Sequence, residues 1–394
     1  MKLAFVVPRY GVEVTGGAET AARMLAERLV ATKGWEVEVL TTCAVDAMTW
    51  EDSYPPAETT VNGVTVHRFA SRAGRDPGFH PYSGGLLADP GAATMAEAER
   101  WIDLQGPVCP DVVDAAAGGD ADVVAFYPYL YYPTVRGLPR LADRSVLHAA
   151  AHDEAPIRLP VFPEVFAGAG GLVFHTYGER ALVHRLFEVA ERPQIVLGLG
   201  MDRHAGDPGA AAALGLGGRP YLCCVGRVDD HKGATMLARM FMAYKDRHPG
   251  PLALAFLGQV VDRPPAHPDI VVAGPVEEAF KWGVLEGATA LVSPSALESF
   301  SLVVTEAWSA GVPVMVNAAC EATMEHCRRS GGGLWWGGYA ELEAGLDLLL
   351  GDEAVRLGLA ERGRAYVEAN FAWPVVLDRY EAFLGGVLAR SRWA

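Results

Sequence analysis

Hydrophobic and polar positions follow one rhythm at the start of the chain. KLAFVVP (2–8) is a short apolar run, and a glycine-bearing loop follows it. ETAARMLAERLVAT (19–32) then carries apolar residues at helical spacing and is closed by Gly34, while EVEVLTT (36–42) alternates like a strand. Strand, loop, helix and strand form the opening unit of a doubly wound sheet, so an α/β fold is predicted.

The same rhythm continues and then restarts after residue 218. The restart is PYLCCVGRV (220–228), a strand ending in a glycine loop, followed by the helical pattern ATMLARMFMAYKDRH (234–248). Further apolar runs predict strands in ADVVAFYPY (121–129), SVLHAAAH (145–152), GGLVFHT (170–176), LALAFLG (252–258), DIVVAG (269–274), ALVSPS (290–295) and PVMVNAA (313–319). We therefore predict two Rossmann-like domains, residues 1–202 and 203–375, and a terminal helix in 376–394 that packs back on the N-terminal domain.

Residues 71–120 fit this rhythm poorly. They contain RDPGFHPYSGGLLADPG (75–91) and then the helix-like TMAEAERWIDL (94–104). Such an irregular insertion in an enzyme either shapes a substrate pocket or is a surface excursion, and the pattern leaves both open.

Composition narrows the class of protein. With 51% hydrophobic and 21% charged residues over 394 positions, the chain is an ordinary globular one. The net charge of −15 argues against a nucleic-acid partner and against binding to anionic lipid through overall charge. The six cysteines show neither a CxxC pair nor metal-ligand spacing, and we expect reduced core thiols. Without a signal h-region or a run of about 18 apolar residues, the sequence predicts a cytoplasmic protein with no transmembrane segment.

GRVDDHKG (226–233) is the first candidate for chemistry, since it lies between a strand and a helix. Gly226 allows a sharp turn at the strand end, and Arg227 and Lys232 can converge on one anion near the helix start. The alternative is two solvated loop cations. The carboxyl end of a parallel strand is where such sheets bind ligands, which favours the anion site.

SPSALESFSLVVTEAWSAGVPV (293–314) is the second candidate. Ser301 is predicted to cap a helix that contains Glu306, with Glu298 in the preceding loop. An unpaired carboxylate at the buried position of Glu306 would be costly, and a ribose diol would satisfy it. For either acid alone, a surface salt bridge is the simpler interpretation.

Two weaker signals lie in the first half of the chain. Gly16 and Gly17 precede a helix and would allow a ligand to approach the backbone, although a tight turn is the simpler reading. His152 ends an apolar strand in AAAHDEAP (149–156), where a histidine is often only a satisfied core residue.

Together these stretches resemble the retaining glycosyltransferases of the large family 4, the glycosyl transferases group 1. The features are GGAE (16–19), HDE (152–154), GRVDDHKG (226–233) and the pair of acids in the pattern E-x7-E, in that order. The resemblance covers essentially the whole chain. It implies the GT-B architecture, in which two Rossmann-like domains face each other across a cleft, with an acceptor-binding first domain and a donor-binding second domain.

The resemblance also implies a role for each matched residue. Arg227 and Lys232 would neutralise the donor diphosphate, Glu306 would bind the nucleotide ribose and Glu298 would contact the donor sugar. His152 would touch that sugar from the first domain, while Gly16 and Gly17 would approach the phosphate and the reacting oxygens. The remaining donor contacts would come from the segment that links the two acids and from the turn before Arg227; these residues are Gly226, Ser299, Phe300, Ser301 and Leu302.

The implied reaction is hexosyl transfer from a UDP- or GDP-sugar to an acceptor hydroxyl with retention, without a cofactor or metal. The acceptor would be a sugar, a lipid-linked molecule or a small molecule, and peripheral membrane contact stays open. One departure from the family pattern is Ser301, where a glycine is usual.

Two rival functions remain at this stage, and a third is disfavoured. A non-hydrolysing nucleotide-sugar epimerase would share the fold and donor, and incubation with the nucleotide sugar alone would reveal it. A non-catalytic sugar-nucleotide-binding protein would not need all four of Arg227, Lys232, Glu298 and Glu306. A NAD dehydrogenase lacks its GxGxxG fingerprint here.

Overall fold

The computed structural model describes residues 1–14 and 16–391. The chain divides into two compact units, Met1–Gly200 with Val376–Ala394, and Met201–Val375. The strands are β1 (Lys2–Val6), β2 (Glu36–Thr42), β3 (Ala57–Val61), β4 (Val64–Phe69), β5 (Val123–Phe126), β6 (Ser145–His148), β7 (Gly171–Phe174), β8 (Gln194–Val196), β9 (Tyr221–Val225), β10 (Ala253–Leu257), β11 (Ile270–Gly274), β12 (Ala290–Ser293), β13 (Val314–Asn317) and β14 (Gly333–Trp336).

The helices alternate with these strands in both units. They are α1 (Gly17–Arg28), α2 (Phe79–Leu86), α3 (Met95–Gln105), α4 (Pro110–Gly118), α5 (Tyr132–Gly137), α6 (Phe162–Gly168), α7 (Tyr177–Leu186), α8 (Ala210–Ala213), α9 (Ala234–Arg247), α10 (Glu278–Glu286), α11 (Leu302–Ser309), α12 (Glu321–Ser330), α13 (Tyr339–Gly351), α14 (Glu353–Phe371) and α15 (Trp373–Ser391). Leu29–Lys33 prolongs α1 as a π-helical turn, and Gly34 ends it in the left-handed conformation, as the sequence predicted.

The first unit is built on an eight-stranded sheet with the order β3-β4-β2-β1-β5-β6-β7-β8. Its neighbouring strands are parallel except β3 and β4, which form an antiparallel hairpin. Strand β1 lies between β2 and β5, so the chain winds outward in both directions from it. The loops that follow β1 and β5 are therefore neighbours at the carboxyl edge, where such sheets bind ligands.

The second unit has a wholly parallel six-stranded sheet with the order β11-β10-β9-β12-β13-β14. Here the winding reverses between β9 and β12, which makes the loops after these two strands neighbours at the carboxyl edge. The α/β fold with two parallel-sheet units, predicted from the hydrophobic pattern, is confirmed.

Each unit has its own hydrophobic core, formed by apolar residues of the strands and of the helices that cover them. In the first unit Val6, Phe126 and Leu147 belong to one fully buried cluster. The terminal helix α15 contributes Tyr380 to this unit, and its hydroxyl lies 2.9 Å from Nε2 of His148 on β6. Buried aromatic contacts of this kind fix a terminal helix against a sheet.

Residues 71–120 are more regular than the sequence suggested, although the helix-like segment 94–104 is confirmed as α3. The helices α2, α3 and α4 occupy most of this stretch. Thr94 and Glu97 form a capping box at the start of α3, a signal that was present in the sequence. Among the described residues, no helix combines the length and the apolar character that crossing a bilayer requires.

Candidate functional site

The loop after β9 contacts the loop after β12 through a glycine. Gly233 has φ 79°, and a Cβ atom there would lie 2.9 Å from the carbonyl oxygen of Pro294. Gly226, at the other end of the same loop, has φ 130°. Both ends of the GRVDDHKG loop therefore require glycine, the first for its backbone conformation and the second also for the close approach.

Asp229 holds this loop together. Its carboxylate is buried and accepts hydrogen bonds from Nε of Arg227 and, at 2.7 Å, from the backbone N–H of Lys232. Burial alone would raise the pKa of Asp229, but the two hydrogen bonds outweigh it and lower the pKa. Asp229 thus stays ionised and orients both cationic residues of the loop.

An ion pair joins the cation loop to the first acid of the E-x7-E pair. Nζ of Lys232 lies 2.7 Å from Oε1 of Glu298. Arg227 remains 51% exposed, so its guanidinium faces solvent at the same edge of the sheet. Two of the predicted sites, which are 66 positions apart in the chain, are thereby brought into contact.

Glu306 has one paired oxygen and one free oxygen. Nζ of Lys281, on α10, lies 2.9 Å from Oε1 of Glu306 and 2.7 Å from Oε1 of Glu278. Oε2 of Glu306 is buried and has no hydrogen-bond partner among the described residues. A buried carboxylate oxygen without a donor is costly, and a ligand hydroxyl would satisfy it.

Lys281 was missed by the sequence analysis. Burial lowers its pKa, but the carboxylates of Glu306 and Glu278 outweigh burial and the net shift is upward. Its only sequence signal is a spacing of three from Glu278 on a helix, which is typical of ordinary surface pairs.

The predicted helix cap at Ser301 is wrong. Helix α11 begins at Leu302 as expected, but the Ser301 side chain makes no capping hydrogen bond. Ser301 has φ 72°, and its Oγ is buried without a partner among the described residues. A left-handed backbone explains why glycine suits this position and places the serine in a strained conformation.

Replacing Ser301 with glycine is expected to stabilise the protein by about 1 kcal/mol. The change removes left-handed strain and a buried unpaired hydroxyl, partly offset by the greater freedom of glycine in the unfolded chain. Urea denaturation of the variant measures the difference. Ser299→Gly is the matched control, because Ser299 lies two positions earlier and its backbone is not left-handed. This control should lose stability. A loss of stability in Ser301→Gly as well would contradict the strain at Ser301.

Phe300 lies with its side chain in the protein interior. Its ring is buried and meets the ring of His326 edge-on at 4.8 Å and that of Phe371 at 5.0 Å. Burial lowers the pKa of His326 to about 4, so this histidine is neutral. Only the backbone of Phe300 is therefore placed to meet a ligand, whereas Ser299 and Leu302 are partly exposed.

The two glycines before α1 differ in their surroundings. A Cβ atom on Gly16 would lie 2.2 Å from Oε2 of Glu19, which forms a buried ion pair with Arg9. A Cβ atom on Gly17 would meet no atom within 4 Å. Gly16 is required by packing within the chain, and Gly17 leaves open space at the start of the helix.

His152 follows β6 on a segment held by a buried carboxylate. Ala150 has φ 50°, and Oε1 of Glu179 accepts the N–H of Ala151 at 2.8 Å. Oε2 of Glu179 accepts the N–H of His175 at 2.6 Å. Burial raises the pKa of Glu179 to about 7 in spite of these bonds. Glu179 carries no sequence motif of its own. Its hydrogen bond to Ala151 nevertheless holds the strained turn that precedes His152.

The predicted site residues fall into two groups. Gly16, Gly17 and His152 lie in the first unit, whereas the residues from Gly226 to Glu306 lie in the second. In the second unit the loop cations and both acids surround the point where the winding of the sheet reverses. Among the described residues, no three His, Cys, Asp or Glu side chains are gathered as metal ligands.

Known structures share this fold over almost the whole chain. Sucrose-phosphate synthase from Thermosynechococcus elongatus superposes with a TM-score of 0.71 at 17% identity, covering 99% of this chain and 100% of that one. A trehalose-6-phosphate structure from E. coli, bound with UDP-2-fluoro glucose, superposes with a TM-score of 0.70 at 12% identity. The match covers 98% of this chain and 99% of that one. Anabaena HepE, in complex with UDP and glucose, superposes with a TM-score of 0.67 at 14% identity, covering 98% of this chain and 100% of that one. The fold is GT-B.

The sequence of the second unit identifies the class. Residues 219–338 match the family model described as glycosyl transferases group 1. The chain is a glycosyltransferase. A D-inositol 3-phosphate glycosyltransferase from Catenulispora acidiphila is 26% identical over 96% of this transferase and 92% of its own length. The predicted resemblance to the glycosyl transferases group 1 is confirmed, since the matched residues include both the cation loop and the two acids.

Proposed function

We propose that this glycosyltransferase moves a hexosyl group from a UDP- or GDP-sugar to an acceptor hydroxyl, with retention of the anomeric configuration and without a metal. The observation that carries the proposal is the ion pair between Lys232 and Glu298, 2.7 Å long, at the reversal point of the second sheet. It joins the cation loop to Glu298, the first acid of the E-x7-E pair. Complexes of two structural neighbours with UDP or a UDP-sugar support the donor class.

The nucleotide would bind along the second unit. Arg227 and Lys232 would meet the diphosphate, whose departure concentrates negative charge, and preorganised cations stabilise such charge strongly. The N-terminus of α11, which follows Ser301, adds unpaired N–H groups on the same side. The free oxygen of Glu306 would accept a ribose hydroxyl, because no donor of the described chain satisfies it.

Glu298 of the second unit would contact the donor sugar, and a separate role in turnover is proposed for His152 of the first unit. In the proposed front-face displacement, the bond from the anomeric carbon to the diphosphate oxygen breaks and the acceptor oxygen bonds to that carbon on the same face. The acceptor proton passes to the departing phosphate oxygen, so no protein nucleophile is required. Asp229, the buried acid of the loop, is engaged by Arg227 and the backbone of Lys232. The loop therefore supplies cations to the diphosphate, where a metal-dependent enzyme would need carboxylates.

We expect transfer to persist in excess EDTA with at most a few-fold loss of rate, and the product to keep the donor's anomeric configuration. Transfer with a panel of UDP- and GDP-sugars and mixed hydroxyl acceptors, with NMR coupling constants of the new linkage, measures both. Abolition by EDTA with recovery in magnesium or manganese would refute the metal-free mechanism. An inverted product would refute retention.

His152→Ala is expected to lower turnover by about tenfold to a hundredfold, the scale of one lost polar contact to the reacting sugar. Affinity for the nucleoside diphosphate should stay close to that of the unchanged protein, because His152 belongs to the first unit. Initial rates and calorimetry on the same preparation separate the two effects. His184→Ala is the control, because it removes an exposed histidine that is hydrogen-bonded to Gln194 in the same unit. An equal loss of affinity and rate in His152→Ala would contradict the proposed contact of His152 with the donor sugar.

A further inference from the structure

A group of aromatic and cationic side chains lies at the carboxyl edge of the first sheet. Tyr131, in the segment after β5, meets Trp50 edge-on with ring centres 5.0 Å apart. The guanidinium of Arg9, which follows β1, lies 5.6 Å from the centre of the Trp50 ring. Because the winding of this sheet reverses at β1, these loops occupy its ligand-binding edge.

Arg75 is attached to the same group through its backbone. Its N–H donates to the carbonyl oxygen of Thr49 at 2.8 Å, next to Trp50. Gly74 packs tightly behind it, since a Cβ atom there would lie 2.5 Å from the same carbonyl oxygen. The guanidinium lies 4.9 Å from the centre of the Phe79 ring, and its Nε donates to the carbonyl oxygen of Gln105 at 3.4 Å. The side chain is thus held in one place.

Arg75 has no ion-pair partner in the described part of the chain, although the charge of Asp46 acts on it from a greater distance. Arg9 is paired with Glu19, whereas Arg75 forms no ion pair with any described carboxylate, and its two terminal nitrogens donate no hydrogen bond there. The side chain is only partly exposed, and burial lowers the pKa of Arg75. A partly desolvated guanidinium without a paired acid favours an anionic partner from outside the chain.

Tyr131, whose ring meets Trp50, provides a hydroxyl to the same group of side chains. Burial raises the pKa of Tyr131 to about 12, while Arg75 and Arg9 act in the opposite direction. The phenol is therefore protonated and able to donate a hydrogen bond. Trp50 adds a buried Nε1 with no partner among the described residues, and its backbone has φ 59°. Unsatisfied donors and strained backbone occur together at binding sites.

We propose that Arg75 and Tyr131 form an anion subsite in the first unit, which binds a phosphate or carboxylate group of the acceptor. The proposal rests on the proposed function, because it assumes that the first unit receives the acceptor. A guanidinium binds either anion through two parallel hydrogen bonds, and the phenol adds a third. The aromatic rings beside it would carry the acceptor's carbon skeleton.

The test uses the full chain with UDP in saturating amount, so that the diphosphate site of the second unit is filled. Inorganic phosphate, glucose 6-phosphate, glucuronate and glucose are titrated and followed by ligand-observed NMR. We expect the anionic probes to bind more tightly than glucose, and Arg75→Gln to weaken them about tenfold. Tyr131→Phe should weaken them less. If glucose 6-phosphate binds more tightly than glucuronate, the acceptor anion is a phosphate; the reverse order identifies a carboxylate.

Arg100→Gln is the matched control, because that guanidinium also lies 4.9 Å from an aromatic ring, Tyr82, but is exposed. It should bind every probe as the unchanged protein does, and all variants should keep their UDP affinity. Equal binding of anionic probes by Arg75→Gln and Arg100→Gln, or no preference for anionic probes over glucose, would overturn the subsite. Failure to bind either UDP or GDP would instead count against the proposed function, and the comparison of the two variants would still decide the subsite.

Discussion

Lys232→Ala and Arg227→Ala should each lower kcat/KM about 30- to 900-fold, a loss of about 2–4 kcal/mol in transition-state stabilisation. Both side chains lie on a loop that Asp229 holds in place and that meets the loop after β12 at Gly233. Each substitution removes a positive charge next to the proposed position of the departing diphosphate. Because this charge develops in the transition state, the loss should appear in kcat as well as in KM.

Steady-state kinetics with a saturating acceptor measure this loss. Arg247→Ala is the control, since Arg247 is an exposed cation of the same unit that is paired with Glu343 at 2.7 Å. It should leave kcat/KM unchanged. Turnover within tenfold of the unchanged protein in both loop variants would contradict the proposed binding of the diphosphate by Arg227 and Lys232.

Glu306→Gln is expected to weaken binding of the free nucleoside diphosphate by about tenfold to a hundredfold, the scale of a lost charge-assisted hydrogen bond. Glu298→Gln should spare that affinity and lower turnover with the intact donor. Glu306 is 14% exposed, lies within α11 and has one oxygen free. Glu298 lies in the preceding loop and pairs with Lys232.

Calorimetry with the free diphosphate, together with turnover measurements, separates the two acids. The shared cation Lys281 offers a control, because Glu278→Gln removes its other partner without touching Glu306. Unchanged affinity in Glu278→Gln would show that the loss in Glu306→Gln comes from the carboxylate itself. The reverse order of effects for Glu306 and Glu298 would mean that their roles are exchanged.

The hydrophobic pattern was sufficient to predict most strands of both sheets because buried parallel strands are short, nearly continuous apolar runs, whereas the edge strands β8 and β14 were missed. The hairpin of β3 and β4 was missed although its signal is local. Asn62 and Gly63 both have positive φ, as a two-residue hairpin turn requires. This NG turn between alternating strands could have been recognised.

Other features of the site could not be predicted from one sequence. Lys281, Glu179 and His326 act through contacts with residues distant in the chain, and none belongs to a motif. The error at Ser301 has a different origin. Serine before an apolar helix is a frequent cap, but Ser301 has a left-handed backbone and makes no capping hydrogen bond, which the sequence does not signal.

The most direct test of the central claim is calorimetric titration of the chain with UDP, GDP, ADP and TDP in buffer containing EDTA. The proposal predicts that UDP or GDP binds, and that Lys232→Ala and Glu306→Gln each weaken that binding at least tenfold. His152→Ala should bind it as the unchanged protein does. Absence of binding by all four nucleotides, or equal affinity in the two second-unit variants and the unchanged protein, would contradict the nucleotide site proposed for the second unit.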